Sequence, residues 1–247
     1  MAGHSKWKQI KHKKAITDSK RAASWTKIIR EITVAAKAGG GDPAGNPRLR
    51  LAMDNARAAN MPNDNIDRAI KKGTGELEGV SYEEITYEAY GPAGVAIMID
   101  TLTDNGNRTV ADIRRWLSRN GGNLGTTGSV AWMFDRRGEI TIDGERYDED
   151  TVMEAALEAG ALDVQSDEGA HTVLTETTDF AAVQDGLRAK GIEWEAAELA
   201  MVPKNTVNVS GADADMLVKL LDLLEDLDDV QKVYTNADLD VDSLAEV

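Results

Sequence analysis

The hydrophobic residues in the last two thirds of this chain change their spacing in a repeating order, from every second residue to every third or fourth and back. Spacing by two marks a strand with one buried face, and spacing near 3.6 marks an amphipathic helix. Residues 85–90 alternate, turn through Gly91-Pro92-Ala93-Gly94, and alternate again over 95–103. A helix follows, capped at Asn107, with Val110, Ile113 and Leu117 inward and its end at Gly121-Gly122. Residues 129–134 are expected to form a strand, as are 206–210 and 230–235. The last two flank a helix that turns Met216, Leu217, Leu220, Leu224 and Leu227 inward, with Ser210 and Asp213 as its capping box. Between these halves the same order recurs. Strands at 139–143, 161–165, 171–175 and 192–202 alternate with helices at 150–159 and 179–190, the second turning Phe180, Val183 and Leu187 inward. The order β-α-β-β-α-β is that of a ferredoxin-like module. The pattern therefore predicts an α+β protein with one such module inserted in another, residues 135–203 lying inside a discontinuous domain of 77–134 and 204–247.

Residues 1–76 read differently. From Ser19, the apolar positions Trp25, Ile28, Ile29, Ile32, Ala35 and Ala36 fall on one helical face. The run ends at Gly39-Gly40-Gly41. A second helix opens at Asn46-Pro47, a cap followed by proline at the first helical position, and a third follows Asn63 or Asp64 and ends at Gly73. Trp25 is expected in the core. This predicts a three-helix domain preceded by a mobile arm, since residues 1–16 are too basic and too poor in apolar groups to fold alone.

Charge is divided as sharply as pattern. Of 247 residues with a net charge of −15, residues 1–75 hold 16 Lys+Arg against 6 Asp+Glu, a net +10. Residues 139–247 hold 6 against 28, a net −22. Such polarity fits a chain whose first part meets a polyanion. Lys6, Lys8, Lys11, Lys13, Lys14, Lys20, Arg21, Lys27 and Arg30 are the expected phosphate contacts, and Trp7 is placed to stack on a base. A second contact is expected at Asn105, Arg108, Arg115, Arg119, Arg136 and Arg137. The nine-residue linker 38–46 is too long for the turn of a helix-turn-helix, and the cations suit backbone contact rather than sequence reading.

Enzyme chemistry finds no residues to stand on. With no cysteine there is neither a thiol nucleophile nor a thiolate metal site. The glycine-rich stretch 121–128 follows a helix and precedes a strand, the reverse of a dinucleotide fingerprint. Asp238, Asp240 and Asp242 begin like a calcium loop, but Ser243 stands where the turn glycine belongs. His171 sits in an alternating strand and reads as structural. No metal, cofactor or small-molecule substrate is implied. No apolar run reaches the roughly 20 residues a membrane helix needs, so a cytoplasmic protein without membrane contact is expected.

Several stretches together carry a resemblance: MAGHSKW, DSKRA, REI, GGGDPAGNPRLR, NMPNDNIDRAIKKG, YGPAGVAI, LTDNGNRT and GGNLGTTGSVAWMFD. They identify the chain as similar to the YebC/PmpR family over essentially its whole length. Trp25 stands where that family usually has Phe, and Ala89 and Ala93 where it usually has Gly. The resemblance implies a helical N-terminal domain, two α/β domains of which one is discontinuous, and no catalytic activity. It implies a probable transcriptional regulator that binds DNA. Relatives, among them a mitochondrial activator of cytochrome oxidase subunit synthesis, act instead on translation at the ribosome. The expected function is thus a nucleic-acid-binding regulator of gene expression. The lack of base-reading residues favours ribosomal RNA as partner. The alternative is a protein-interaction scaffold whose acidic body binds a basic partner.

Overall fold

The structure, a computed structural model, describes residues 18–239 apart from Glu168, with side chains from Trp25 onward except that of Asp167. Its fold class is α+β, as the pattern predicts. Helices α1 (Asp18–Gly39), α2 (Pro47–Ala58) and α3 (Asn63–Thr74) form the N-terminal unit. Its core is Ile32, Ala35, Ala36, Leu49, Ala52, Ala56, Met61, Ile66 and Ala69, with Trp25 packed against it. Trp25, expected in the core, is only partly buried at its edge, and its Nε1 donates to the Ala59 carbonyl at 3.0 Å. Asn46 closes the glycine-rich linker. Its Oδ1 accepts from Leu49 N, and its Nδ2 donates to the carbonyls of Ala35 at 2.8 Å and Gly40 at 2.9 Å. A buried amide that stitches a helix start to the preceding helix end fixes the angle between them.

The second unit is built on a sheet of β1 (Glu83–Tyr90), β2 (Ala96–Thr103), β3 (Asn123–Leu124) and a late strand β9 (Val230–Thr235), in the order β3-β1-β2-β9. The β1–β2 turn holds Ala93 at φ 56°, a left-handed conformation that alanine adopts at a cost. Helices α4 (Gly106–Arg119) and α7 (Gly211–Glu225) cover one face, burying Ile97, Ile99, Ile113, Leu117, Leu217, Leu220 and Leu221. The third unit carries β4 (Phe134–Asp143), α5 (Glu149–Glu158), β5 (Asp163–Asp167), β6 (Ala170–Thr175), α6 (Phe180–Ala189) and β7 (Ala196–Pro203). Its strand order β5-β6-β4-β7, with every neighbour antiparallel, is the ferredoxin-like order. The two ends of this segment meet: Phe134 pairs with Pro203, and Lys204 N donates to the Met133 carbonyl at 2.9 Å. Ala96, Met98, Val130, Phe134, Ala200 and Tyr234 form a shared apolar layer between the two sheets.

Strand β8 (Val207–Val209) leaves the larger sheet and pairs in parallel with β10 (Ala237–Leu239). The hairpin strand β1 takes the slot beside β2 that a ferredoxin-like order gives its third strand. Residues 129–134 also differ from expectation: Ala131–Met133 is a 3₁₀ turn, and the strand in that region is β3. The cause is Glu88. Its carboxylate, buried on β1, accepts from the backbone N–H groups of Gly128 at 2.6 Å, Val130 at 2.7 Å and Ala131 at 2.8 Å. Successive amides that converge on one acceptor cannot also pair in a ladder. Two caps shift as well. Asn105, not Asn107, caps α4, and Ser210 precedes α7 without a side-chain cap bond.

Candidate nucleic-acid interface

Helix α4 follows β2 through Thr103–Asn105. Asn105 accepts from Arg108 N at 3.1 Å, which starts the helix, and Thr109, Ile113 and Leu117 turn into the core. With one face so committed, Arg114, Arg115 and Arg119 are left exposed. Trp116, half-buried, bridges the two faces and packs against the core. The Arg115 guanidinium lies 4.8 Å from its ring centroid and that of Arg119 5.9 Å. An arginine stacked on indole is oriented at little entropic cost, and such contacts are worth about 0.5–1 kcal/mol at exposed sites. Its remaining N–H groups stay available to phosphate oxygens. Arg115 also reaches Asp112 at 3.4 Å.

Three other predicted cations are engaged by groups of the molecule itself, Arg108 while still half in water. Arg30 of α1 donates to Asp229 Oδ1 at 2.6 Å and to the carbonyls of Leu102 at 3.0 Å and Asp228 at 2.7 Å. Arg108 donates to both Asp229 oxygens, at 3.0 and 2.8 Å, and to Asp104 at 2.6 Å. Asp229 Oδ2 also accepts from the Thr109 hydroxyl at 2.7 Å and the Thr103 hydroxyl at 3.2 Å. Burial pushes the Asp229 carboxyl up, but the bonds from Thr109, Arg108 and Arg30 outweigh it and hold the group below its ordinary value. Lys27 donates to the Glu225 carbonyl in the same region. A cleft of about 420 Å³ opens here, lined by both arginines and by Asp104, Asp112, Asp226 and Asp228. Part of the basic face of α1 is thus turned to the acidic body.

Lys6, Trp7, Lys8, Lys11, Lys13 and Lys14 lie outside the described residues. Lys20 and Arg21 fall in the first turn of α1, where only the backbone is described. Arg136 is exposed, while Arg137 pairs with Glu176 and lies 3.5 Å from Asp135. Arg136 and Arg137 belong to β4 and are not on the α4 surface. His171 is structural as expected. Tyr147 O can only accept, so His171 Nε2 donates to it at 2.9 Å and Nδ1 accepts from Ser166 Oγ at 2.8 Å. Sequence reasoning passed over Trp116 and Arg114, although the run Arg114-Arg115-Trp116 interleaves bases with an aromatic. It also passed over Arg68, Lys71 and Lys72, exposed on one face of α3. Among the described residues, no group of three or more His, Asp or Glu is arranged to hold a metal ion, and no helix is long and apolar enough to cross a membrane.

The architecture is that of a three-unit α+β chain with a basic helical N-terminal unit. Two family models match it: the TACO1/YebC protein N-terminal domain over residues 5–76, and the TACO1/YebC second and third domain over residues 82–237. The chain belongs to the TACO1/YebC family. A protein of Gemmatimonas aurantiaca named probable transcriptional regulatory protein is 60% identical over 246 residues, covering 100% of both chains. One of Desulforapulum autotrophicum with the same description is 56% identical over 239 residues, 97% of each. The crystal structure of a conserved hypothetical protein from Aquifex aeolicus matches with a TM-score of 0.86 at 43% identity, covering 94% of this chain and 96% of that one.

Proposed function

We propose that this protein is a non-enzymatic regulator of gene expression that binds nucleic acid in the cytoplasm, and that its target is structured RNA on the ribosome. The carrying observation is the exposed face of α4, where Arg115 and Arg119 are held on Trp116 with Arg114 beside them. This is an array of oriented guanidinium forks, and the helix exposes a single amide beside them, Asn107, two turns before Arg114, so backbone contacts outnumber any base-reading group. Such a surface grips backbone and shape, which suits A-form RNA better than an operator. The relatives' names support a regulator. The basic arm supplies the first contact in this reading and α4 the second, and two separated contacts fix orientation. The domains that divide the work are 1–76, then 77–134 with 204–247, then 135–203.

The test is sedimentation with ribosomes and a salt titration of binding to a structured RNA. The wild type is expected to co-sediment at moderate salt. R115A/R119A should lower the steepness of log K against log salt by about 1–2, one phosphate contact per arginine. A short duplex bound about 10³-fold better than random DNA, with no ribosome association, would instead establish an operator-binding protein. Affinity for a basic protein partner that survives deletion of residues 1–76 would establish the scaffold.

A further inference from the structure

Trp132 is 64% exposed, the most exposed large apolar residue among those described. Its exposure is built in. The turn that carries it is pinned by the three backbone bonds to Glu88 and by Met133 N donating to Val130 O at 2.9 Å. Val130 and Phe134, on either side, are buried between the two sheets and anchor the turn at both ends. The indole Nε1 donates to the Ser129 carbonyl at 3.1 Å, and the Tyr90 hydroxyl donates to the same oxygen at 3.0 Å. The ring is therefore oriented, and its only hydrogen-bonding group is consumed. What it offers outward is π surface alone.

We propose that Trp132 is a stacking site for an unpaired nucleobase, an inference that rests on the nucleic-acid reading above. The chemistry of the surroundings selects this occupant over an apolar protein knob. A protein hot spot is a packed apolar centre ringed by contacts that exclude water. The nearby stretch Thr126, Thr127 and Gly128 is instead exposed, polar or small. A base needs only a flat, rigid aromatic face, and stacking does not depend on which base it is.

The test uses the full chain and two fluorescently labelled probes in an anisotropy titration, an unstructured 12-nucleotide RNA and an RNA duplex of equal length. W132A is expected to weaken binding of the single strand roughly 5- to 150-fold, the range for loss of one base–aromatic stack. Duplex binding should stay within about twofold, because paired bases present no free face to the ring. W132F keeps an aromatic face and should recover most of the loss. Equal losses on both probes, or no loss on either, would overturn the stacking site while leaving the nucleic-acid reading intact. A wild type that binds neither probe at low salt would overturn both. A change in self-association of W132A by sedimentation velocity, with RNA binding unchanged, would make the ring a contact for a second copy instead.

Discussion

Glu88 shows how one side chain overrides a pattern. Its neighbours on β1 alternate as a strand should, and nothing in that alternation marks position 88 as a charge facing inward. Burial pushes its carboxyl up, but the amides of Gly128, Val130, Ala131 and Ser129 outweigh burial and hold it below the ordinary value. A carboxylate that accepts several N–H bonds is replaceable only by another full acceptor. Glu88→Gln puts an NH₂ where an acceptor is required, and should cost about 2–3 kcal/mol in urea denaturation at pH 7. The folded-state pKa is lowered, so this advantage is present above the ordinary carboxyl range near about pH 4. It is lost as pH falls through the lowered folded value, and the two proteins should converge in acid. A difference that persists unchanged to about pH 2, where carboxylates are protonated, would show that shape rather than charge holds the loop. Residue 129 onward read as a strand because its apolar alternation is real. The partner that bends it lies 40 residues earlier, beyond any local window.

At the scale of elements, helices were more legible than strands. The apolar face of α1 places Ile32, Ala35 and Ala36 in the core where spacing predicts, because helical packing is decided within the helix. Strand partners are chosen by tertiary geometry, so β8 could be recognised as a strand but not assigned to its sheet. Gly73 marks a point where two elements depend on a missing side chain. A Cβ there would stand 2.4 Å from the Thr33 carbonyl and 2.7 Å from Ala36 Cβ. α1 and α3 pass at that point with backbone nearly on backbone. Gly73→Ala should therefore lower stability by about 1–3 kcal/mol, the range for overpacking, even though alanine is the better helix former. Thermal unfolding of the full chain checks it. A melting temperature equal to or above wild type would mean that the helices can separate without loss.

At the scale of the whole molecule, the division of charge acquires a second role. The +10 of residues 1–75 is not all presented to a partner, because Arg30 reaches the acidic turn before β9. The Asp229 and Arg30 side chains are 10% and 11% exposed, so their pairing is largely out of water. Removing one partner of a buried pair leaves an uncompensated charge. Asp229→Ala should cost about 3 kcal/mol, toward the low end of the range for buried pairs because Arg108 is half in water. The loss should appear as release of the helical unit: faster proteolysis near residues 74–82 and a larger radius of gyration in solution scattering. The Asp229 carboxyl is held below its ordinary value, so the link is complete at neutral pH and weakens as pH falls through that lowered value. Unchanged scattering in Asp229→Ala would assign the docking to other contacts.

Local spacing determined the helices, the order of strands and helices, the polarity of charge and the absence of a familiar catalytic motif, because each of these is written within a few residues of chain. The family resemblance was legible for the same reason, in short runs such as GGGDPAGNPRLR. Only the tertiary structure decided which cations are held by a carboxylate brought from far along the chain. Arg30, Arg108, Arg115 and Arg119 are alike in sequence. The first two meet Asp229, brought to them from 199 and 121 positions away. The last two find Trp116 one turn or less along their own helix. A charge is free or spent according to what folds against it, and that is settled by contacts no local pattern contains.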